Sequence, residues 1–224
     1  MEEVENKKPF FILLSISIIV VISIFLLEKG SIILNKSKYT DLEKIVIDAE
    51  YSNVEVKYLE SKEVNVVVYG KREDDISVKE INKVLNIKKS STKGICIFNC
   101  SDKIILYLPK EFERLDISLK MGNVNIEEST INDIYVKDDI GNVNLGTIKS
   151  ANIEVDVGNV AIKKLDAEFD SYIKVNKGNV TINHALNTNV KAKSNTGKVN
   201  VKDDNTDNEF VLTIETNIGN IKVK

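Results

Sequence analysis

Six glycine-centred phrases determine how this 224-residue chain folds. Their glycines lie 19, 17, 20, 19 and 22 residues apart, and six of the ten glycines in the chain stand in this role. Repetition at a near-constant period is typical of stacked repeat architectures. The phrases are Gly122-Asn123-Val124-Asn125-Ile126, Gly141-Asn142-Val143-Asn144-Leu145, Gly158-Asn159-Val160-Ala161-Ile162, Gly178-Asn179-Val180-Thr181-Ile182, Gly197-Lys198-Val199-Asn200-Val201 and Gly219-Asn220-Ile221-Lys222-Val223.

Each glycine joins two segments in which apolar and polar residues alternate. Ile153 and Val155 precede one glycine, and Val160 and Ile162 follow it. Such alternation is typical of strands with one buried face, and glycine suits the turn because it accepts a positive φ. Each repeat is therefore predicted to be a strand, a glycine turn and a second strand.

Two topologies fit this pattern, an antiparallel meander of hairpins and a parallel solenoid with one repeat per coil. Identical residues at matching positions favour the solenoid, in which like side chains stack about 4.8 Å apart. Parallel crossovers are right-handed in about 98% of cases. We therefore predict an all-β, right-handed parallel β-solenoid in which the asparagines form a ladder of amides or serve the turns. These asparagines are Asn123, Asn142, Asn159, Asn179 and Asn220.

The remaining sequence is divided by its composition. Residues 10–27 form an uncharged apolar run of 18 residues, long enough to cross a bilayer as a helix. This pattern predicts a cytoplasmic head over 1–9, a transmembrane anchor over 10–27, a polar tether over 28–40 and an extracytoplasmic β-repeat body over 41–224. The repeats are regular from about residue 115.

The first part of this body is less regular. Ser52-Asn53-Val54 resembles the repeated phrase with serine in place of glycine, which indicates a degenerate first coil. Ser77-Val78-Lys79-Glu80 has the form of a capping box. Because Val78, Ile81 and Leu85 follow at helical spacing, a short helix is predicted near residues 78–85.

The stretch Lys103-Ile-Ile-Leu-Tyr-Leu-Pro109, followed by Leu115–Leu119 and the first Gly-Asn-Val, resembles a known bacterial family. This is the β-strand-repeat "putative adhesin" family of unknown function, which includes LiaG-like proteins of Gram-positive cell envelopes. The resemblance implies a β-helix-like fold and an envelope-stress or surface association, without catalytic residues to transfer. The Cys96 and Cys100 pair is a departure from the family.

Candidate chemical groups are few. Cys96 and Cys100 could form a disulfide across a bend if the domain lies in an oxidising space, or remain free thiols. His184 is the single histidine, and we interpret it as a surface residue. One acidic stretch is interpreted as a solvated loop because it lacks known Ca²⁺-loop spacings. Its residues are Asp203, Asp204, Asp207 and Glu209.

Composition narrows the function classes. A net charge of −3 argues against a nucleic-acid partner. One histidine and two cysteines cannot supply a His/Cys zinc site. No cofactor is expected, and the oligomeric state is left open. The leading hypothesis is a non-enzymatic envelope protein held in the membrane by its N-terminal helix, with envelope or signalling proteins as partners.

Two alternatives belong to other classes. The first is a structural polymer like the bactofilins, which edge lysines at Lys222 and Lys224 on the final strand would disfavour. The second is a carbohydrate-active β-helix enzyme. Asp139 and Asp156 align between successive repeats as an acidic pair, whereas Asp138 does not align with them.

Overall fold

A computed structural model describes residues 32–71, 75–90, 102–202 and 208–224, and these ranges fold into β-strands joined by turns. Residues 32–224 belong to one compact unit. The strands are β1 (Ile32–Tyr39), β2 (Lys44–Tyr51), β3 (Asn53–Tyr58), β4 (Val64–Gly70), β5 (Asp75–Ile81), β6 (Val84–Ser90), β7 (Lys103–Leu108), β8 (Glu111–Met121), β9 (Val124–Ile140), β10 (Val143–Val157), β11 (Val160–Asp166), β12 (Ser171–Lys177), β13 (Val180–Ile182), β14 (Ala185–Leu186), β15 (Thr188–Thr196), β16 (Val199–Val201), β17 (Phe210–Ile218) and β18 (Ile221–Val223).

The repeats stack as a parallel solenoid, as predicted, and the antiparallel meander is excluded for them. The segments that precede the glycines pair in parallel as one sheet, which we call the pre-turn sheet. The segments that follow the glycines form the post-turn sheet. Spatial order in the pre-turn sheet is β6, β2, β8, β9, β10, β12, β17, β15, and in the post-turn sheet it is β7, β3, β9, β10, β11, β13, β18, β16.

Like side chains stack upon like and exclude water from the interior. One aliphatic residue from each of the six coils between β2 and β17 joins a continuous row that is at most 1% exposed. Burying such a side chain contributes about 1.5–3 kcal/mol, and the contribution depends on the neighbouring coils. The row consists of Ile47, Ile117, Val136, Ile153, Ile173 and Ile214.

The coils do not stack in the order of the sequence. The sixth repeat, β17 and β18, lies between the fourth and fifth repeats. At the opposite end, β2 and β3 lie between the coil of β6 and β7 and the coil of β8 and β9. The prediction that Lys222 and Lys224 mark an edge strand is wrong. Strand β18 is internal, and β15 and β16 form the end of the solenoid.

The predicted helix near 78–85 is also wrong. Strands β5 and β6 form an antiparallel hairpin, and its turn residues Asn82 and Lys83 have φ values of 50° and 63°. Two successive positive φ angles match the twist of a tight hairpin. Leu85 and Ile87 are both fully buried, so their period of two against β2 outweighs the helical spacing.

The residues assigned to the tether differ as well. Ile32–Tyr39 form β1, which pairs antiparallel with β4 from Ile32 to Tyr39 with a register shift at Leu34. The polar side chains of this stretch do not prevent pairing, because β1 joins β4 through its main chain and has no fully buried residue. The head at 1–9 and the anchor at 10–27 lie outside the described residues. Within those that are described, no helix has the length and apolar character needed to cross a membrane.

Candidate functional site: the turn edge

The glycine turns form a column along one edge of the solenoid. A Cβ on Gly158 would lie 1.6 Å from the carbonyl oxygen of Gly141 in the adjacent coil, and the φ of Gly158 is +157°. A Cβ on Gly141 would similarly meet the oxygen of Gly122 at 1.5 Å. Glycine is therefore required by close coil-to-coil approach as well as by the positive φ that the sequence suggested.

The predicted asparagine ladder is present and begins one rung earlier than expected, at Asn53. Each asparagine Oδ1 accepts two hydrogen bonds from the next asparagine, one from its backbone N–H and one from its Nδ2. Asn159 donates both to Asn142 Oδ1 at 3.0 Å. Asn179 donates both to Asn159 at 2.9 and 3.1 Å. The ladder runs through Asn53, Asn123, Asn142, Asn159, Asn179 and Asn220 and ends where the backbone N–H of Lys198 donates to Asn220.

An apolar row lies beside this ladder, at the residue directly before each glycine. Ile140, Val157 and Ile218 are 46%, 40% and 50% exposed. Ile140 and Val157 occupy adjacent rungs beside Met121, so these side chains form an apolar strip on the protein surface, and exposed apolar strips often mark contact sites. Lys177 separates this strip from Ile218. Lys177 and Thr196 stand in the same row. The full row is Tyr51, Met121, Ile140, Val157, Lys177, Ile218 and Thr196.

A third row stands one residue further from the glycines. Asp139 and Asp156 occupy adjacent rungs, as their spacing predicted. Asn176 Nδ2 donates to Asp156 Oδ1 at 2.6 Å, and Asn217 Nδ2 donates to Asn176 Oδ1 at 3.1 Å. Lys120 Nζ donates to Glu50 at 2.5 Å on the other side of the aspartates. The two carboxylates therefore belong to an exposed polar row. We call the three rows together the turn edge.

Asp138 lies apart from this acidic row, inside the solenoid. It takes an interior position whose neighbours in register are Leu119 and Val155, and it is 1% exposed. Burial raises the pKa of Asp138 to about 7, although its Oδ1 accepts a hydrogen bond from the Ile140 N–H at 3.2 Å and the charge of Asp139 raises the pKa further. Its other oxygen, Oδ2, has no hydrogen-bond partner. A buried carboxyl is present, but it cannot reach a substrate on the surface.

A cleft of about 740 Å³ lies between β5 and the first strands of the pre-turn sheet. Its lining mixes acidic and basic side chains, with Asp75 and Lys88 among them. At its base, Lys89 Nζ binds Asp102 Oδ2 at 2.8 Å, and both residues are buried. Because Asp102 occupies the rung position of Ser52 and Gly122, this ion pair closes the glycine column at the end of the solenoid.

The other candidate residues lie far from any shared site or outside the described ranges. His184 is exposed, as predicted, and its backbone carbonyl accepts the Leu165 N–H. Glu209 is exposed, whereas Asp203, Asp204 and Asp207 lie outside the described residues, as do Cys96 and Cys100. The disulfide therefore stays a prediction. In the part of the chain that is described, no three His, Cys, Asp or Glu side chains group as a metal site would need.

The amino-acid sequence matches one known protein family. The sequence profile named Toastrack DUF4097 matches residues 42–224, which is the whole solenoid beyond β1. The chain belongs to the Toastrack DUF4097 family. This agrees with the adhesin-type family whose repeats the sequence resembles.

Solved structures are similar to this chain, and the first of them shares its fold. A "putative cell adhesion protein" from Clostridium sporogenes is similar over 85% of this chain and 98% of its own, with 13% identity and a TM-score of 0.52. A "putative adhesin" from Bacteroides fragilis covers 88% of this chain and 98% of its own, with 17% identity and a TM-score of 0.42. None of the curated proteins compared with the chain matches it.

The glycine column and the amide ladder of this Toastrack domain are predictable from the sequence, whereas the apolar row was not predicted. Ile140 and Val157 fall at alternating strand positions counted from the glycine phrases, so they resemble core residues. The turn begins at that position, however, and rotates the side chain outward. The signal that could have found the row is the recurrence of an aliphatic residue directly before the glycine in Met121, Ile140, Val157 and Ile218.

Proposed function

We propose that this Toastrack protein is a non-enzymatic, membrane-anchored interaction protein that displays its solenoid outside the cytoplasmic membrane, in envelope-stress signalling or surface adhesion. The turn edge carries the proposal. It combines an amide ladder with exposed aliphatic side chains, Ile140, Val157 and Ile218 among them, and its apolar row spans seven coils. Such a surface suits contact with another macromolecule better than turnover of a small molecule.

The anchor is supported by the apolar run over 10–27, since 18 uncharged residues match the thickness of the hydrocarbon core. An N-terminal segment of this kind ahead of a large domain commonly acts as a signal-anchor, which would place the solenoid outside. The coil is inferred to be right-handed because parallel crossovers have that hand in about 98% of cases.

Protease treatment of intact cells tests the orientation. Externally added protease should remove the solenoid while a cytoplasmic control protein survives. Full protection of the solenoid in intact cells, with digestion only after lysis, would contradict the proposed topology.

Charge introduced into the apolar row tests the function. The double variant Ile140→Glu/Val157→Glu should abolish surface attachment and resistance to cell-wall-active antibiotics in cells where it replaces the native protein. Leu186→Glu/Phe169→Glu is the matched control, because Leu186 and Phe169 are 44% and 62% exposed but lie away from the turn edge. Equal surface amounts of both variants must be verified by labelling. If the two variants behave alike, the turn edge is not the interaction surface.

A further inference from the structure

The two ends of the solenoid differ in whether further strands cover the outermost coil. At one end, antiparallel strands cover the outermost coil, because β5 pairs with β6 and β4 pairs with β7. At the other end, β15 and β16 form the outermost coil. Among the described strands, none pairs with the outer edge of β15 from Lys191 onward or with that of β16.

Interior side chains are uncovered at this second end. Val199 is 44% exposed, although Ile221, its neighbour in register, is 1% exposed. Ala192 is half-buried and is smaller than Ile214, which fills the same position in the adjacent coil. Solenoids need polar caps at their ends to stay soluble. Among the described residues, no polar cap covers Val199 and Ala192 at this end of the solenoid.

The described charged residues on β15 and on either side of β16 are basic. Lys191 and Lys193 are exposed on β15, on either side of Ala192, and Lys198 and Lys202 flank β16. Across the pre-turn sheet, charges alternate in sign along the row that contains Lys193. Glu154, Lys174, Glu215 and Lys193 occupy successive rungs of that row. A strand added beyond β15 would continue this alternation if it placed an acidic residue beside Lys193.

We propose that this end binds an acidic β-strand of a partner protein, which adds to the edge of β15 and β16. The strand would carry carboxylates opposite Lys191 and Lys193 and an aliphatic residue over Ala192. Main-chain hydrogen bonds would supply affinity and the alternating side chains would supply specificity, as in other cases of strand addition. Because Lys191, Ala192 and Lys193 do not belong to the turn edge, failure of this site would leave the proposed function intact.

A second copy joined end to end through the same edge fits less well. It would place Lys191 and Lys193 against their own counterparts, and like charges directly opposite each other destabilise paired strands. Lysines on an edge discourage pairing with an uncharged or basic strand. They do not oppose a strand that brings carboxylates.

Peptide binding to the full chain tests this site. The probe is a fluorescein-labelled heptapeptide in which two glutamates alternate with aliphatic residues (SVEIEVS), and the control peptide has lysines instead (SVKIKVS). The chain should bind the acidic probe in preference to the basic one, with affinity that falls as salt rises. Lys191→Glu/Lys193→Glu should weaken binding of the acidic probe at least tenfold and allow the basic peptide to bind.

Lys163→Glu/Lys222→Glu is the matched control. It makes the same change in net charge at exposed positions of inner coils and should leave the affinity unchanged. Gain of binding to the basic peptide also shows that the charge-reversed edge variant is folded. Three results would overturn the proposal: no binding of the acidic probe, equal loss in both double variants, or self-association of the full chain that Lys191→Glu/Lys193→Glu abolishes.

Discussion

Glu215 lies in register beside Lys174, although Lys193 is nearer to Lys174 in the sequence. The sixth repeat therefore stands between the fourth and the fifth, with Glu215 between two lysines. Opposite charges on adjacent strands stabilise a sheet by about 0.2–1 kcal/mol per pair, and like charges destabilise it. Sequential stacking would have placed Lys174 beside Lys193. The inserted order is the one that these charges favour.

Replacement of Gly158 tests the close approach of the coils. Gly158→Ala should lower the free energy of unfolding by more than about 3 kcal/mol, since the added Cβ meets the backbone oxygen of Gly141 and the φ is unfavourable for alanine. Urea denaturation followed by circular dichroism measures this. Ala161→Gly in the next strand, where no turn is formed, is a control that should cost only about 1 kcal/mol. A Gly158→Ala protein as stable as the native chain would refute the contact.

Loss of one rung tests the amide ladder. Asn159→Ala removes the acceptor of two hydrogen bonds from Asn179 and the side-chain donor to Asn142, so we expect a loss of about 1–2 kcal/mol in unfolding free energy. Asn200→Ala makes the same chemical change at an exposed position on β16, outside the ladder, and should cost less than about 0.5 kcal/mol. Equal losses in the two variants would mean that the ladder adds nothing to stability.

The buried carboxyl of Asp138 should make stability depend on pH. Its folded pKa of about 7 lies above the ordinary value of 3.8, so the unfolded state ionises first as pH rises. The contribution of Asp138 to stability should be greatest below pH 4, fall between about pH 4 and pH 7, and level off above that. At about 1.36 kcal/mol per pH unit, the total loss is on the order of 4 kcal/mol.

Asp138→Leu should remove this dependence and raise the unfolding free energy at pH 7.5, because leucine matches Leu119 in the same interior row. Urea titrations between pH 4.5 and pH 8 measure both effects. Glu80→Gln, on the exposed face of β5, removes a carboxylate without altering the interior and should keep the pH profile. An unchanged profile in Asp138→Leu would assign the pH dependence to other groups.

The sequence predicts the stacking of the coils but not their order. Every repeat carries nearly the same glycine phrase, so Gly178 can stack equally well on Gly197 or Gly219. The choice depends on outward residues such as Glu215, and their partners become visible only when the register is known. The asparagine ladder was predictable for the opposite reason, since identical side chains such as Asn142 and Asn159 bond to each other in any order.

The helix prediction near residues 78–85 failed because a local sequence pattern competed with the pairing of strands in the folded protein. The capping box at Ser77 and the spacing from Val78 to Leu85 fit a helix, but Leu85 and Ile87 also fit a strand against β2. Both residues are buried in the pre-turn sheet, and this burial favours the strand over the helix. The solenoid end at β15 could not be predicted at all, because it results from the insertion of β17 beside β12.

Disulfide trapping tests the stacking order most directly. In a Cys96→Ser/Cys100→Ser background, the pair Lys174→Cys/Glu215→Cys should form a disulfide on mild oxidation of the full chain, since adjacent strands lie about 4.8 Å apart and a disulfide spans Cα atoms about 4.4–6.8 Å apart. The pair Lys174→Cys/Lys193→Cys should stay reduced, because those positions are two rungs apart. Mass spectrometry distinguishes the two. Cross-linking of 174 to 193 without cross-linking of 174 to 215 would contradict the inserted coil.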